Sequence, residues 1–337
     1  MNILIVGSGF SGSVLAYELS HAGHAVTVID QRSHIGGNAY DYWDDGILIH
    51  KYGPHIFHTD NHSVFQWLSQ FTDWTAYKHR ACALLDTGEY VPFPPNLQTI
   101  NSIGRDKIVD TLYRPYSELF WGCALEDLDP DIFNRVPIRE DETDLYYPTH
   151  RWQAMPTHGY VPIFEQLLSR SKILLDTPFE HSMLDSYDYC FNSMAIDEYF
   201  NYDLGHLPYR SVKFTHHRLP GPTLLPTATV NLTSGEKYTR ITEWKHFPNH
   251  GTVGETVLTY ESPCDYRDNN MERYYPVKDG AKQNRELYKQ YAQRVDSSKI
   301  QFIGRCGLYV YIDMHQAINS SLKIAKRFNY ANSGHWI

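Results

Sequence analysis

Cysteine is sparse in this chain: five residues in 337, at Cys82, Cys123, Cys190, Cys264 and Cys306, with no CxxC spacing among them. That scatter argues against a disulfide framework or a thiolate metal knuckle and points to a reducing compartment. Positive charge is also short. Thirty Lys and Arg against 39 Asp and Glu leave a net charge of −9, so no basic field draws the chain to nucleic acid or to an anionic membrane surface. No apolar run reaches the roughly 20 residues that a membrane crossing needs. The first residues already read as a core strand, which leaves no room for a signal peptide, and a cytoplasmic protein is the expectation. Internal repeats and low-complexity tracts are absent too. What remains is an ordinary globular composition, 42% hydrophobic and 20% charged, long enough for two or three lobes. Tyrosine is plentiful, at 26 residues, and its flat face and hydroxyl suit sugars and bases, though most tyrosines serve as core or surface.

The N-terminus is the most informative stretch. An apolar strand, Ile3 to Val6, runs into Gly7-Ser8-Gly9-Phe10-Ser11-Gly12; a helical pattern follows to Gly23, and a second strand, Ala25 to Ile29, ends on Asp30. This spacing predicts a βαβ unit that holds a dinucleotide. Gly7 permits the tight turn, Gly9 lets a pyrophosphate approach the backbone, and Gly12 lets helix and strand pack closely. The helix N-terminus supplies N–H donors, and Asp30 stands where an acid takes the ribose hydroxyls. A second glycine turn, Gly36-Gly37 followed by Asn38, brings the backbone close to a bulky ligand, which favours FAD over NAD.

The rest of the chain reads as an α/β fold in five parts. Residues 1–75 form the first part of a Rossmann-like lobe, with a helix from Asn61 to Phe71. Residues 76–145 hold a hairpin (Ala81 to Leu85, Tyr90 to Phe93) and a reduced helical insertion over 100–128. Residues 146–204 are mixed and partly return to the first lobe. Residues 205–280 alternate as an antiparallel sheet lobe, and 281–337 complete a discontinuous nucleotide lobe through the strand Ile300 to Ile303 and a helix from Met314 to Phe328. The tail from Asn329 has no assignment.

Three constellations could carry chemistry. The segment from His50 to Thr59 holds His50, His55 and His58, but no carboxylate or thiolate that would complete a metal site, so no metal is expected; a loop lying against a flavin ring is the better reading. In the alternating strand 238–244, Tyr238, Arg240, Thr242 and Trp244 share one face, and an arginine so placed suits a phosphate clamp or a surface ion pair. Gly304-Arg305 precedes the final helix, for which Asp313 is the expected N-cap, and that helix start could favour anionic charge on a reduced flavin.

The strings HIGGNAY, HKYGPHIFHT, YTRITEWKHF, YYPV and YIDMHQ, in that order, resemble the UDP-galactopyranose mutase family of nucleotide-sugar mutases. The resemblance extends from Asn2 to about Arg327. It implies an isomerase that uses reduced FAD without net redox change: the flavin N5 attacks the anomeric carbon, the adduct opens through an iminium ion, and the sugar recloses through a different hydroxyl. Carried over residue by residue, it places Arg135 and Arg240 on the diphosphate. Tyr116, Trp121, Tyr146, Tyr275 and Arg210 fall around the nucleotide and sugar, and His79 near a substrate-contacting asparagine. His58, Tyr311 and Asp313 fall at the reacting centre; His55, Arg305, Met314 and Asn38 at the flavin. The implied partners are a nucleoside-diphosphate sugar, an external reductant such as NAD(P)H or a reductase, and a second copy in a homodimer. Departures cluster at the substrate side: a shorter helical insertion, Pro54 for alanine, His79, and the run Arg151 to Pro156. They leave dTDP-fucose open beside UDP-galactose. A net-redox enzyme of the amine-oxidase type and a non-catalytic flavin-binding protein are the competing readings.

Overall fold

Uninterrupted apolar strands such as Ile3-Leu4-Ile5-Val6 are stable only when both faces are covered, and that is where they lie. In the computed structural model, which describes residues 1–134, 136–235, 237–248 and 254–332, a five-stranded parallel sheet has the order Lys172–Leu174, Ala25–Ile29, Asn2–Val6, Tyr189–Asn192, Ile300–Phe302. The helices Phe10–His21 and Met314–Asn332 pack together on one face, joined by a hydrogen bond from Ser321 Oγ to the Ser11 carbonyl at 3.0 Å. Three distant stretches of chain thus build one Rossmann-like lobe, with its glycine turn at the carboxyl ends of the strands.

The second sheet has seven strands, in the order Tyr275–Pro276, Tyr209–Pro220, Glu255–Asp265, Arg240–Glu243, Thr229–Leu232, Ala81–Leu84, Tyr90–Phe93. Its spine is a long antiparallel ladder from Arg210↔Asp265 to Pro220↔Glu255. One pairing is parallel, Thr229↔Ala81 through Leu232↔Leu84. The hairpin grouped above with the helical insertion therefore belongs to this sheet. A two-stranded hairpin is marginal alone, and the Thr229–Leu232 edge offers it a ladder.

Two further features differ from the sequence reading. The expected helix over 100–128 is broken: Leu97–Ile103 stops at Gly104 (φ 92°), a wide turn covers Val109–Tyr113, and a new helix runs Arg114–Trp121 with Pro115 in its first turn. Pro115 has no N–H to donate, and the wide turn before it absorbs the missing bond. A small three-stranded sheet, Phe57–Thr59, Trp152–Pro156 and Trp74–Ala76, was not foreseen, and it brings His58 beside the turn at 147–151. No helix among the described residues is long and apolar enough to cross a membrane.

Candidate active site

The two glycine turns meet backbone to backbone. A Cβ on Gly12 would lie 1.9 Å from the Gly7 carbonyl oxygen, and one on Gly37 would lie 2.8 Å from Gly9 Cα. Gly7 and Gly37 also adopt positive φ, 98° and 56°. No side chain caps the helix that starts at Phe10, so its first N–H groups face the cavity at Gly7, Gly9, Gly36 and Gly37. Asp30 is buried and binds the turn together: it accepts from the Ser8 N–H (2.8 Å), the Ser8 hydroxyl (2.6 Å) and the Arg32 N–H (3.0 Å). Asn38 accepts from Arg32, which is paired with Glu272. This cradle fits an extended dinucleotide, because any side chain at its closest points would fill the approach.

Further along the same cavity stand His55, Arg305, Asp313 and Met314. The His55 ring donates from Nδ1 to the Gly53 carbonyl at 2.8 Å, and burial pushes it down to about 4, so it is neutral. Arg305 donates to the carbonyls of Tyr274 (3.1 Å) and Ile312 (2.7 Å), with its guanidinium 4.8 Å from the Tyr311 ring centre. Asp313 starts the last helix: its carbonyl accepts from Gln316 and Ala317, and the Gln316 side chain accepts from its N–H at 2.9 Å, half of a capping box.

Asp313 also lines a second chamber, together with Arg240, Tyr116, Trp121, Tyr146, Tyr275, Tyr311, His58 and His79. Arg240 donates to Glu261 at 2.7 Å, and that carboxylate is only 1% exposed. The ion pair fixes the guanidinium from behind, and its Nε has no hydrogen-bond partner among the described residues. Burial pushes Tyr275 up to about 12 and raises Tyr116, so both stay protonated. Burial and the neighbouring Arg240 push His79 down to about 3; its Nδ1 meets the Tyr77 hydroxyl at 3.1 Å. Tyr275 and Tyr311 stack at 5.5 Å. A dinucleotide cradle thus shares Asp313, as a wall, with a chamber that holds a fixed cation and several neutral donors.

A family model described as UDP-galactopyranose mutase matches residues 111–311, and one described as NAD(P)-binding Rossmann-like domain matches residues 5–71. The chain belongs to the UDP-galactopyranose mutase family. With the family comes its enzyme class, the isomerases. The UDP-galactopyranose mutase of Mycoplasma genitalium is 30% identical over 97% of this chain and 94% of its own. The dTDP-fucopyranose mutase of Escherichia coli is 29% identical over 97% of this chain and 98% of its own. In fold, the chain is similar to a reduced UDP-galactopyranose mutase crystal structure, with a TM-score of 0.77 at 14% identity over 99% of this chain and 96% of that one. A putrescine oxidase is similar in fold at TM-score 0.57 and 14% identity, covering 98% and 99%.

Within this mutase-family site, the residues marked in the sequence line one of the two cavities, with one exception among the described residues. Arg210 lines neither. Its guanidinium donates to the carbonyls of Phe120 (2.7 Å) and Leu119 (3.2 Å), because the helix Arg114–Trp121 ends there with carbonyls that need donors. Arg210 therefore supports the helix that presents Tyr116 and Trp121, a correction to its placement at the nucleotide. Arg135 lies outside the described residues. The sequence reading missed Glu261, Tyr147 and His150. Glu261 faces Arg240 across a strand pairing that local pattern does not reveal, and Tyr147 had only its place in a tyrosine doublet to mark it. Among the described residues, no group of three or more His, Cys, Asp or Glu side chains is arranged to hold a metal ion.

Proposed function

We propose that this chain interconverts the pyranose and furanose forms of a nucleoside-diphosphate sugar, with UDP-galactose the leading substrate and reduced FAD the cofactor. The observation that carries this reading is the wall shared at Asp313 by the dinucleotide cradle and the arginine–tyrosine chamber. The second glycine turn, packed on the first at Gly9 and Gly37, favours FAD over NAD, since it brings a second stretch of bare backbone close to the ligand. A reduced flavin, when bound, supplies a nucleophilic nitrogen for the anomeric carbon and leaves the overall redox state unchanged.

The chain's own residues hold charge and orientation. Arg240, fixed by Glu261, offers N–H donors to a diphosphate whose charge grows as it departs and which must stay for the return step; Arg135 is the second guanidinium of this clamp. Tyr116 and Tyr275 act as neutral O–H donors, and Trp121 gives an aromatic face for the base. His55 stays uncharged beside the cofactor. An external reductant, NAD(P)H or a reductase, a cytoplasmic location and a homodimer complete the reading.

The test is anaerobic incubation of the FAD-loaded protein, with and without dithionite, with UDP-galactopyranose and separately with dTDP-fucopyranose, followed by chromatography of the ring forms. Ring-contracted product from one sugar, and only with reduced flavin, is the expected result. Neither sugar reacting would sink the proposal. Flavin bleaching by an amine would instead support the oxidase reading, which the buried Arg240–Glu261 pair disfavours.

A further inference from the structure

We infer that His150 is a positioning residue for His58, and that the two imidazoles form one proton-holding unit in the wall of the sugar chamber. The inference rests on the mutase reading and adds to it a residue that the family resemblance does not mark.

His58 sits mid-strand, opposite Gln153, and lines the chamber. His150 lies in the turn just before the facing strand. Its position is built in. The His150 N–H donates to the Tyr147 carbonyl at 3.3 Å, Gln153 Nε2 donates to the carbonyls of Tyr147 (2.8 Å) and His150 (2.9 Å), and the Arg151 N–H donates to Asp60 at 2.7 Å. The same turn lays the Tyr147 ring on the His58 ring, 3.6 Å between centroids and 14° from parallel. With the ring plane so fixed, Nδ1 of His58 meets Nδ1 of His150 at 2.7 Å. Two bare nitrogens repel at that distance, and so do two N–H groups, so one proton lies between them. The tautomer of each ring then dictates the other. When His58 holds the shared proton on Nδ1, a neutral His58 has an acceptor at Nε2; when His150 holds it, His58 Nε2 is a donor.

The proposed reaction needs both forms. Opening a sugar ring puts a proton on one oxygen, closing it through another removes one, and the sum is zero. A sugar hydroxyl gives its proton to His58 Nε2, the shared proton passes from His58 Nδ1 to His150 Nδ1, and His150 Nε2 releases its proton to water. Every transfer reverses on the return. His58 is 8% exposed, whereas His150 is partly open and so suited to exchange with solvent. Other groups bias the pair: His315, whose ring lies 5.7 and 6.1 Å from the two, with Asp313 and Asp60 near it, and Arg240 and His79 across the chamber. Burial lowers the pKa of His315, which limits the positive charge in this cluster.

The test uses the FAD-loaded protein with His150→Asn and His150→Phe. Asparagine places an amide where Nδ1 was, keeping a hydrogen bond to His58 but unable to pass a proton; phenylalanine keeps the ring shape and loses both. Long-range ¹H–¹⁵N spectra of histidine-labelled protein should show the two rings titrating as one unit in the parent chain, and His58 titrating alone in His150→Phe. In both variants kcat should fall about a hundredfold, with KM within about twofold and the pH profile reshaped. A His58 titration identical in the parent and His150→Phe, or full turnover in both variants, overturns the inference. If phenylalanine is not tolerated, His150→Asn carries the kinetic arm. If the parent converts neither sugar, the mutase reading fails, and the spectra alone then decide the pair.

Discussion

Arg240 is two things at once, a donor lining the chamber and the hydrogen-bond partner of a buried carboxylate, and the two roles separate by measurement. Arg240→Ala should lower kcat about 10²–10³-fold while FAD still binds. It should also cost about 3–5 kcal/mol of stability, because Glu261 is left buried and unpaired. Adding Glu261→Gln to that variant should recover much of the urea midpoint and none of the turnover; recovery of turnover would remove the clamp role. Histidines give a second signature at this scale. His55 and His79 are pushed by burial to about 4 and about 3 from 6.5. Below pH 6.5 the unfolded chain therefore binds protons that the folded chain refuses. Stability from the neutral rings is full above about 6.5 and is lost as pH falls toward 4 and 3, at about 1.4 kcal/mol per pH unit for each ring. Asp41 works in the opposite direction. Burial pushes its carboxyl from 3.8 up to about 6, so within that window the folded chain takes the proton first and offsets one of the two histidines. Urea midpoints at pH 7.5, 6 and 5 should decline, and His79→Gln should flatten the decline; a slope indifferent to His79 would mean that its ring accepts a proton in place. What the sequence revealed at this scale were residues tied to a motif with a local mechanism. Gly7 and Gly12 act through their own turn and were legible, whereas Asp30, read only as a ribose acceptor, also ties Ser8 to Arg32, and Glu261 and His150 act across pairings made by distant chain.

The helix Arg114–Trp121 shows how an element can depend on one side chain from elsewhere. It ends at Gly122 in the left-handed region (φ 70°), where a Cβ would lie 2.8 Å from Arg210 Nη1, and Arg210 satisfies two of its terminal carbonyls. Tyr116 and Trp121 ride on this helix and line the chamber; if they hold the substrate as proposed, in ground state and transition state alike, loosening the helix should act on KM. Arg210→Ala is expected to raise KM about tenfold, the equivalent of roughly 1.4 kcal/mol, with kcat nearly unchanged. Steady-state kinetics check this, and a loss confined to kcat would mean that Arg210 does not act by supporting this helix. Elements with punctuation were readable beforehand. Asn61 caps the helix His62–Leu68 by accepting from the Val64 N–H, and the strands beside Asp86-Thr87-Gly88 pair as a hairpin. Phe57–Thr59 and Trp74–Ala76 were not readable, because three residues carry no period. The wide turn at Val109–Tyr113 and the parallel seam between Ala81–Leu84 and Thr229–Leu232 were hidden for a related reason: each is decided by what the neighbouring chain leaves unsatisfied.

At the scale of the whole molecule, the nucleotide lobe owes its existence to parts some 300 residues apart. The glycine turn lies in the first dozen residues, but Gly304 (φ 71°) places the closing turn where a Cβ would sit 3.3 Å from Ser11 Oγ, and the last helix lies along the first. A discontinuous lobe was legible from the sequence because the strand–glycine–helix pattern recurs near the end of the chain; that the hairpin at 81–93 would join the far sheet was not, since register between distant strands leaves no local trace. This architecture has a thermodynamic consequence. A ligand lying along the cradle touches the opening turn, the second glycine turn and the closing segment together, so its binding energy stabilises strands from both ends of the chain. At a free FAD concentration of about 100 Kd the gain should be about 2.7 kcal/mol, provided that the unfolded chain does not bind it. The apoprotein and the FAD-loaded protein should then each melt in one calorimetric transition, the second at the higher temperature, and a chain ending before Ile300 should take up no flavin although every motif glycine of the opening turn is present. Two transitions, of which FAD moves only one, would show that the lobe and the long sheet fold separately, and flavin uptake by the shortened chain would mean that the opening unit is sufficient by itself.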